Sequence, residues 1–281
     1  MKVLVTGSAG LPGRDVLRLL ESRGVTCLGV DAPEFDGTDS EAVFRLVEDF
    51  SPDVIVHCAA YSNVDKAESE PATCAGVNGF GALTMARAAV RAGAKMLFLS
   101  SAQVFSGTGE TPNAVSDPYG PKNVYGMSMV QAEDAVRSLL TRYFVVRTGG
   151  VFGNSKDPVR AVLRAAQDGK DLPMSCDRVL HFTYSRDLAR VLCDLIETDC
   201  YGIWHARNEG ACTPVEFAEM VIKKSGRSCR IVPIRDADIP SHARRPLNSR
   251  LTAELPAGIA PMPSVEDALD RYLAELREEK A

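Results

Sequence analysis

With 281 residues, 45% hydrophobic and 25% charged, the chain is long enough for a large compound core and has the composition of an ordinary globular protein. A net charge of −5 leaves no basic surface for nucleic acid, so any anionic ligand is held by a few donors at a defined site. The N-terminus "MKVLVTGSAG" lacks the apolar run and cleavage site of a signal peptide, and no segment approaches a membrane span. The eight cysteines contain no C-x-x-C pair and the four histidines lie far apart, so we expect no metal site and reduced thiols in the cytoplasm.

In chain order, the first half alternates between two periodicities. "KVLVTG" (2–7) is a short apolar run ending in glycine, and "RDVLRLLESRG" (14–24) follows with apolar residues at helical spacing. The strand "VTCLGVD" (25–31), the helix "SEAVFRLVEDF" (40–50), the strand "DVIVHCAA" (53–60), the helix "NGFGALTMARAAVRAG" (78–93) and the strand "KMLFLSS" (95–101) continue the pattern. Strands that are apolar throughout, alternating with amphipathic helices, indicate a parallel sheet covered on both faces. Right-handed crossovers make it a doubly wound α/β sheet of Rossmann type.

After Ser101 the pattern loosens into a long segment rich in Gly, Pro, Ser and Asn (102–123). Long loops at the carboxyl ends of such strands usually line a site. A helix over Val124–Leu140 and a strand "YFVVRTGGVFG" (143–153) follow. Further on the elements are shorter: a helix over Val159–Asp168, a strand over Val179–Thr183, and a helix through "SRDLARVLCDLIE" (185–197). "TPVEFAEMVIKKSG" (213–226) has a threonine N-cap and a glycine stop, and "SVEDALDRYLAELREEK" (264–280) is another capped helix.

The segment "VTGSAGLPG" carries the clearest chemical signal. Gly7, Gly10 and Gly13, with Leu11 and Pro12 between them, lie between a strand and a helix. The first glycine permits the tight turn, the second lets a pyrophosphate approach the backbone, and the third lets helix and strand pack closely. Asp31, at the end of the next strand, can accept from both hydroxyls of an adenosine ribose and repels a 2′-phosphate. The expected cofactor is NAD. NADP stays open, since Arg14 directly follows the third glycine.

The stretches "VTGSAGLPG", "SPDVIVHCAAYSNVDKAES", "VNGFGA", "SSAQVFSGTG", "VYGMSM", "VRTGGVFG", "TYSRDLA" and "RRPLNSRL" resemble the extended short-chain dehydrogenase/reductase superfamily. More specifically, they are similar to dTDP-4-dehydrorhamnose reductases, in the family's order and over nearly the whole chain. The resemblance implies a cofactor domain, here residues 1–152 with 180–203, and a smaller α/β substrate domain, residues 153–179 with 204–281. It also implies a cleft between them and hydride delivery to a 4-keto sugar on a nucleotide.

Carried over by position, Asp31 and Asp36 border the adenosine, and Cys58, Ala59, Ala60, Tyr61 and Ser100 line the cofactor groove. Ser101 is the hydroxyl partner of the substrate carbonyl and Tyr125 the proton donor, itself beside the cofactor. Gln103, Val104, Phe105 and Gly150 face the sugar, while Arg245, Asn248 and Ser249 face the nucleotide end. A nucleotide sugar is the implied substrate. Neither nucleic acid nor membrane is expected as a partner, and a homodimer is compatible with the sequence.

Three departures from the family pattern cluster at the chemistry. The family's Thr-Asp-Tyr reads Ser101-Ala102-Gln103, which keeps a hydroxyl and loses an acid and an aromatic. The tryptophan of its "Arg-Thr-Ser-Trp" is Gly150. The lysine four residues after the tyrosine is Met129, one helical turn from Tyr125. A lysine there stabilises a tyrosinate and donates to the nicotinamide ribose, and methionine does neither. Lys122, in the loop before the helix, reads as a solvated lysine and not as a replacement.

Oxidation needs a deprotonated tyrosine and suffers most from this loss, whereas reduction needs the protonated form that rests at neutral pH. Three readings follow: an NAD(P)-dependent keto-sugar reductase, a catalytically silent NAD(P)-binding regulator or scaffold, and epimerase- or dehydratase-type chemistry with the cofactor retained. The same family fold serves as a regulatory subunit of methionine adenosyltransferase. Retention of Ser101 and Tyr125 favours the reductase.

Overall fold

The computed structural model describes residues 1–153 and 157–279. A parallel sheet is built from β1 (Lys2–Thr6), β2 (Thr26–Val30), β3 (Val54–His57), β4 (Lys95–Ser101), β5 (Tyr143–Thr148) and β9 (Gly202–His205), in the order β2-β1-β3-β4-β5-β9. β3 is buried along its whole length, as is β1 after Lys2. This is why these strands are apolar on both faces instead of alternating.

The expected doubly wound α/β architecture is present. Helices α2 (Ser40–Phe50), α5 (Gly81–Ala92) and α6 (Val124–Leu139) bear on the core of one face, which contains Leu4, Ile55, Met85, Phe98 and Val145. Helices α1 (Leu11–Ser22) and α8 (Ser185–Ile196) bear on the other, with Val3, Val56, Leu97, Val146 and Leu192. Local sequence sets their ends: Asp39 caps α2 by accepting from the amides of Glu41 and Ala42, and α5 stops at Gly93 in the left-handed region.

Between β3 and α5 the chain is more helical than the sequence pattern predicts. Short helices α3 (Val64–Ser69) and α4 (Pro71–Ala75) run into a π-helical turn, Gly76–Phe80, before α5. Too brief to show a hydrophobic period, these turns are legible only in the fold.

The remaining elements build smaller sheets. β6 (Gly150–Phe152) and β8 (Val179–Tyr184) run parallel, and β8 also pairs with β10 (Ala211–Cys212) and β12 (Asn248–Ser249). β7 (Leu172–Ser175) pairs with β11 (Ile231–Ile234); each carries a proline, which masks its strand character in the sequence. With α7 (Pro158–Asp168), α9 (Pro214–Ser225) and α10 (Val265–Glu278) they enclose a third core around Phe152, Phe182, Phe217 and Tyr272. Lys280, the expected end of the last helix, lies outside the described residues.

Two boundaries differ from expectation. The stretch 143–153 is not one strand: β5 ends at Thr148 in the large sheet and β6 starts at Gly150 in the small one. β8, which the expected division places with the cofactor half from residue 180, is hydrogen-bonded into the small sheet. Continuous apolar runs do not show where a chain changes sheets.

Candidate active site

A groove of about 1040 Å³ runs along the carboxyl ends of β1, β2, β3, β4 and β5. At one end lies the glycine cradle. Gly7 has φ +68°, and a Cβ on it would stand 2.5 Å from the backbone nitrogen of Ala59. A Cβ on Gly13 would stand 2.2 Å from the Gly7 carbonyl oxygen. Both positions therefore require glycine. Gly10, as the N-cap of α1, brings no side chain to its first turn, so the helix start is open to an anion. Gly7, Gly10, Leu11 and Pro12 line the groove, while buried Gly13 packs behind the turn and does not.

Asp31 ties the cradle to the end of β2. Its Oδ2 accepts from the amide of Ala9 at 2.7 Å and its Oδ1 from the amide of Ala32 at 2.8 Å. Asp36 lines the same end, where hydrogen bonds from the amide and hydroxyl of Thr38 hold its carboxyl below the usual range. Cys58, Ala59 and Ala60 form the opposite wall. Tyr61 does not join them: its hydroxyl donates to Glu70 at 2.7 Å and its amide to Asn78 at 2.6 Å, outside the groove. Arg14 does not line the groove either. The tight turn, the open helix start and the carboxylate on the second strand suit the pyrophosphate and ribose of a dinucleotide.

Two hydroxyl-bearing residues meet along the groove. Ser101 closes β4 and accepts from the amide of Gln103 at 3.2 Å. Asn123 caps α6 by accepting from Gly126 at 2.7 Å, which sets Tyr125 in the first turn. The phenol of Tyr125 and the hydroxyl of Ser101 both face the groove. Burial pushes the Tyr125 phenol up to about 12, against the pull of the Ser101 hydroxyl. A phenol so raised is a proton donor at neutral pH and a poor base.

Met129 is elsewhere. Its side chain is 1% exposed in the core that holds Met85, Ala102 and Ala132, and it does not line the groove. Met129 sits one turn further along the α6 side that carries Tyr125, where the core covers it, so this position is not a gap in the site wall. Lys122 is exposed and also absent from the groove.

Away from the cradle Gln103, Gly150, Arg245 and Ser249 line the groove. Val104 and Phe105 do not: both are buried, because a 3₁₀ turn over Ala102–Val104 folds the chain into the core. Asn248 serves the loop instead, donating to the carbonyls of Gly109 and Thr111 at 2.9 and 2.7 Å. Arg245 reaches the groove but is engaged by Asp65, Nη2 to Oδ2 2.7 Å and Nη1 to Oδ1 3.2 Å.

This cradle, Ser101–Tyr125 pair and open end can be set beside known proteins. Residues 1–278 match the family described as RmlD substrate binding domain. The chain belongs to this family, among the dTDP-4-dehydrorhamnose reductase-like members of the extended short-chain dehydrogenase/reductases. It is 31% identical to the spore coat polysaccharide biosynthesis protein SpsK of Bacillus subtilis, over 98% of this chain and 97% of that one. It is 33% identical to the dTDP-4-dehydrorhamnose reductase of Aggregatibacter actinomycetemcomitans, over 89% of this chain and 90% of the relative. The crystal structure of the Bacillus anthracis dTDP-4-dehydrorhamnose reductase in complex with NADP superposes with a TM-score of 0.94 at 29% identity, covering 98% of this chain and 99% of that one.

Within this family fold, several groove residues escape a sequence reading. His57, Thr148, Leu180 and Arg178 all line it. His57 is held by Thr6 at 2.7 Å, and burial lowers its pKa to about 4, so it stays neutral. The C-terminal ends of β3 and β5 could have pointed to His57 and Thr148; nothing local singles out Arg178. Beneath Tyr125, buried Asn78 donates to Ser128 at 2.8 Å, and Ser128 donates to the Tyr125 carbonyl at 2.7 Å. Ser100 lines the groove too, but its hydroxyl points back to Glu133 at 2.5 Å. Among the described residues no group of His, Cys, Asp and Glu could hold a metal, and no helix is long and apolar enough to cross a membrane.

Proposed function

We propose that this chain is an NAD(P)-dependent reductase of a keto group on a nucleotide-activated sugar. The observation that carries the reading is the Ser101–Tyr125 hydroxyl pair facing one groove with the glycine cradle, in a member of a reductase family. The cradle and groove would hold a nicotinamide dinucleotide, which would supply hydride for reduction of the carbonyl carbon. Ser101 holds the carbonyl oxygen by hydrogen bond, and Tyr125 gives that oxygen its proton. The upward shift of Tyr125 suits the reductive direction, in which the phenol begins protonated. In this reading residues 1–149 with 185–205 hold the cofactor, and the smaller sheets hold the substrate.

Oxidation of NADH or NADPH by purified protein, followed by absorbance with nucleotide keto sugars, tests it. Turnover is expected with a keto sugar on a nucleotide. dTDP-4-dehydrorhamnose itself is expected to be slow, because Gly150 and Ala102-Gln103 remove the aromatic and acidic walls of the family's sugar pocket. Efficient turnover of that compound would show those losses to be harmless. A second reading, a catalytically silent NAD(P)-binding regulator, is favoured by one feature: among the described residues no lysine lines the groove beside Tyr125. Cofactor binding without turnover of any keto sugar selects it.

A further inference from the structure

Two guanidinium groups line the substrate end of the groove, and they are not equivalent. Arg245 spends both terminal nitrogens on Asp65, and its Nη1 also donates to Ser241 at 2.6 Å. Arg178, just before β8, has a single ion pair among the described residues, Nη1 to Asp236 Oδ1 at 3.4 Å. Its Nε is buried and has no hydrogen-bond partner among the described residues. A buried charged donor left unpaired is costly, and such groups are satisfied in native structures or await a ligand.

The surroundings say what the ligand is. Arg178 and Leu180 are two residues apart and both line the groove, and a Cβ on Gly150 would stand 3.2 Å from Leu180 Cδ1. Arg178 therefore lies along the groove wall that Leu180 forms beside Gly150. The charged groups acting on it are Asp236, Asp177 and Asp65, which favour its charge, and Arg245, which opposes it. Burial is the largest influence, and it holds the guanidinium below its ordinary pKa. An oxyanion placed between Arg178 and Arg245 would relieve both their repulsion and the orphaned Nε–H.

We propose that Arg178 is a substrate-recognition residue that binds an oxyanion of the substrate, a phosphate or carboxylate oxygen, at the Gly150 end of the groove. With Nη1 turned to Asp236, Nε and Nη2 remain, the edge of a guanidinium that receives an oxyanion in two parallel bonds. The inference rests on the nucleotide-sugar reading and adds an anionic specificity element to it.

Calorimetric titration of the cofactor-loaded full chain with dTDP, UDP-glucose and UDP-glucuronate tests it on wild type, Arg178→Gln and Arg178→Lys. Arg178→Gln is expected to weaken binding about 10- to 100-fold, with Arg178→Lys intermediate because it keeps the charge and loses the fork. Equal weakening for all three probes assigns the oxyanion to the diphosphate. Weakening confined to UDP-glucuronate assigns it to a sugar carboxylate. Unchanged cofactor affinity and melting temperature show that the variants are folded; if Arg178→Gln does not fold, the lysine variant carries the comparison. Probes that bind every variant like wild type overturn the role of Arg178 alone. Cofactor binding by wild type with no binding of any probe overturns the nucleotide-sugar reading together with it.

Discussion

Arg147 of β5 and Glu133 of α6 form a closed, buried ion pair behind the groove, Nη2 to Oε2 2.7 Å and Nε to Oε1 2.9 Å. The hydroxyls of Ser100 and Tyr119 donate to the same carboxylate, and Arg147 Nη1 donates to the carbonyl of Val115. One carboxylate thus joins β4, β5, α6 and the 102–123 loop. Removing one partner leaves the other buried and unpaired, so Arg147→Met is expected to cost about 3–5 kcal/mol in urea denaturation. Replacing both, as Arg147→Met with Glu133→Leu, is expected to recover much of that. A loss of under about 1 kcal/mol for Arg147→Met would mean that the pair is open to water.

Tyr125→Phe is expected to lower reductive turnover about 10²–10⁴-fold while leaving cofactor affinity unchanged. The pH dependence follows from the direction of the shift. With the phenol pushed up to about 12, the proton-bearing form persists through the neutral range. The reductive rate should stay level with respect to this group until about pH 10, and the reverse oxidation should climb as pH rises. A Tyr125-dependent inflection near neutrality, absent from Tyr125→Phe, would reveal a cation acting on the phenol.

Met129→Lys separates a core position from a site position. Since Met129 is 1% exposed, an ammonium there is buried without a partner, and a loss of about 3 kcal/mol or more is expected. Met129→Leu, which conserves volume, should cost less than about 1.5 kcal/mol. A lysine variant as stable as wild type and faster in reduction would show that residue 129 reaches the cofactor, as the family pattern implies.

The cradle end of the groove carries Asp31 and Asp36 and, among the described residues, no lysine or arginine. NAD(H) is therefore expected to bind more tightly than NADP(H), whose 2′-phosphate meets a carboxylate. Asp31→Asn should narrow the preference about tenfold or more in calorimetric titration with both cofactors. Tighter NADP(H) binding to wild type would remove that role from Asp31.

The sequence by itself determined five strands of the doubly wound sheet and the glycine cradle; the Ser101–Tyr125 pair was implied by the family resemblance, and the sixth strand, β9, is legible only in the fold. The strands and the cradle depend on short-range pattern: apolar runs buried on both faces, and a strand–turn–helix with glycine where backbone must approach backbone. Helical spacing shows that residues 125 and 129 share a side of α6. It does not show how that side is turned, and only packing against the neighbouring elements sends Met129 into the core. The same holds for charge. Asp65 and Arg245 pair across 180 positions of sequence, Val104 and Phe105 turn inward on a 3₁₀ turn, and Arg178 enters the groove through the small sheet. These placements come from contacts between distant segments, which local periodicity does not record, so the tertiary structure alone decided which side chains face the ligand.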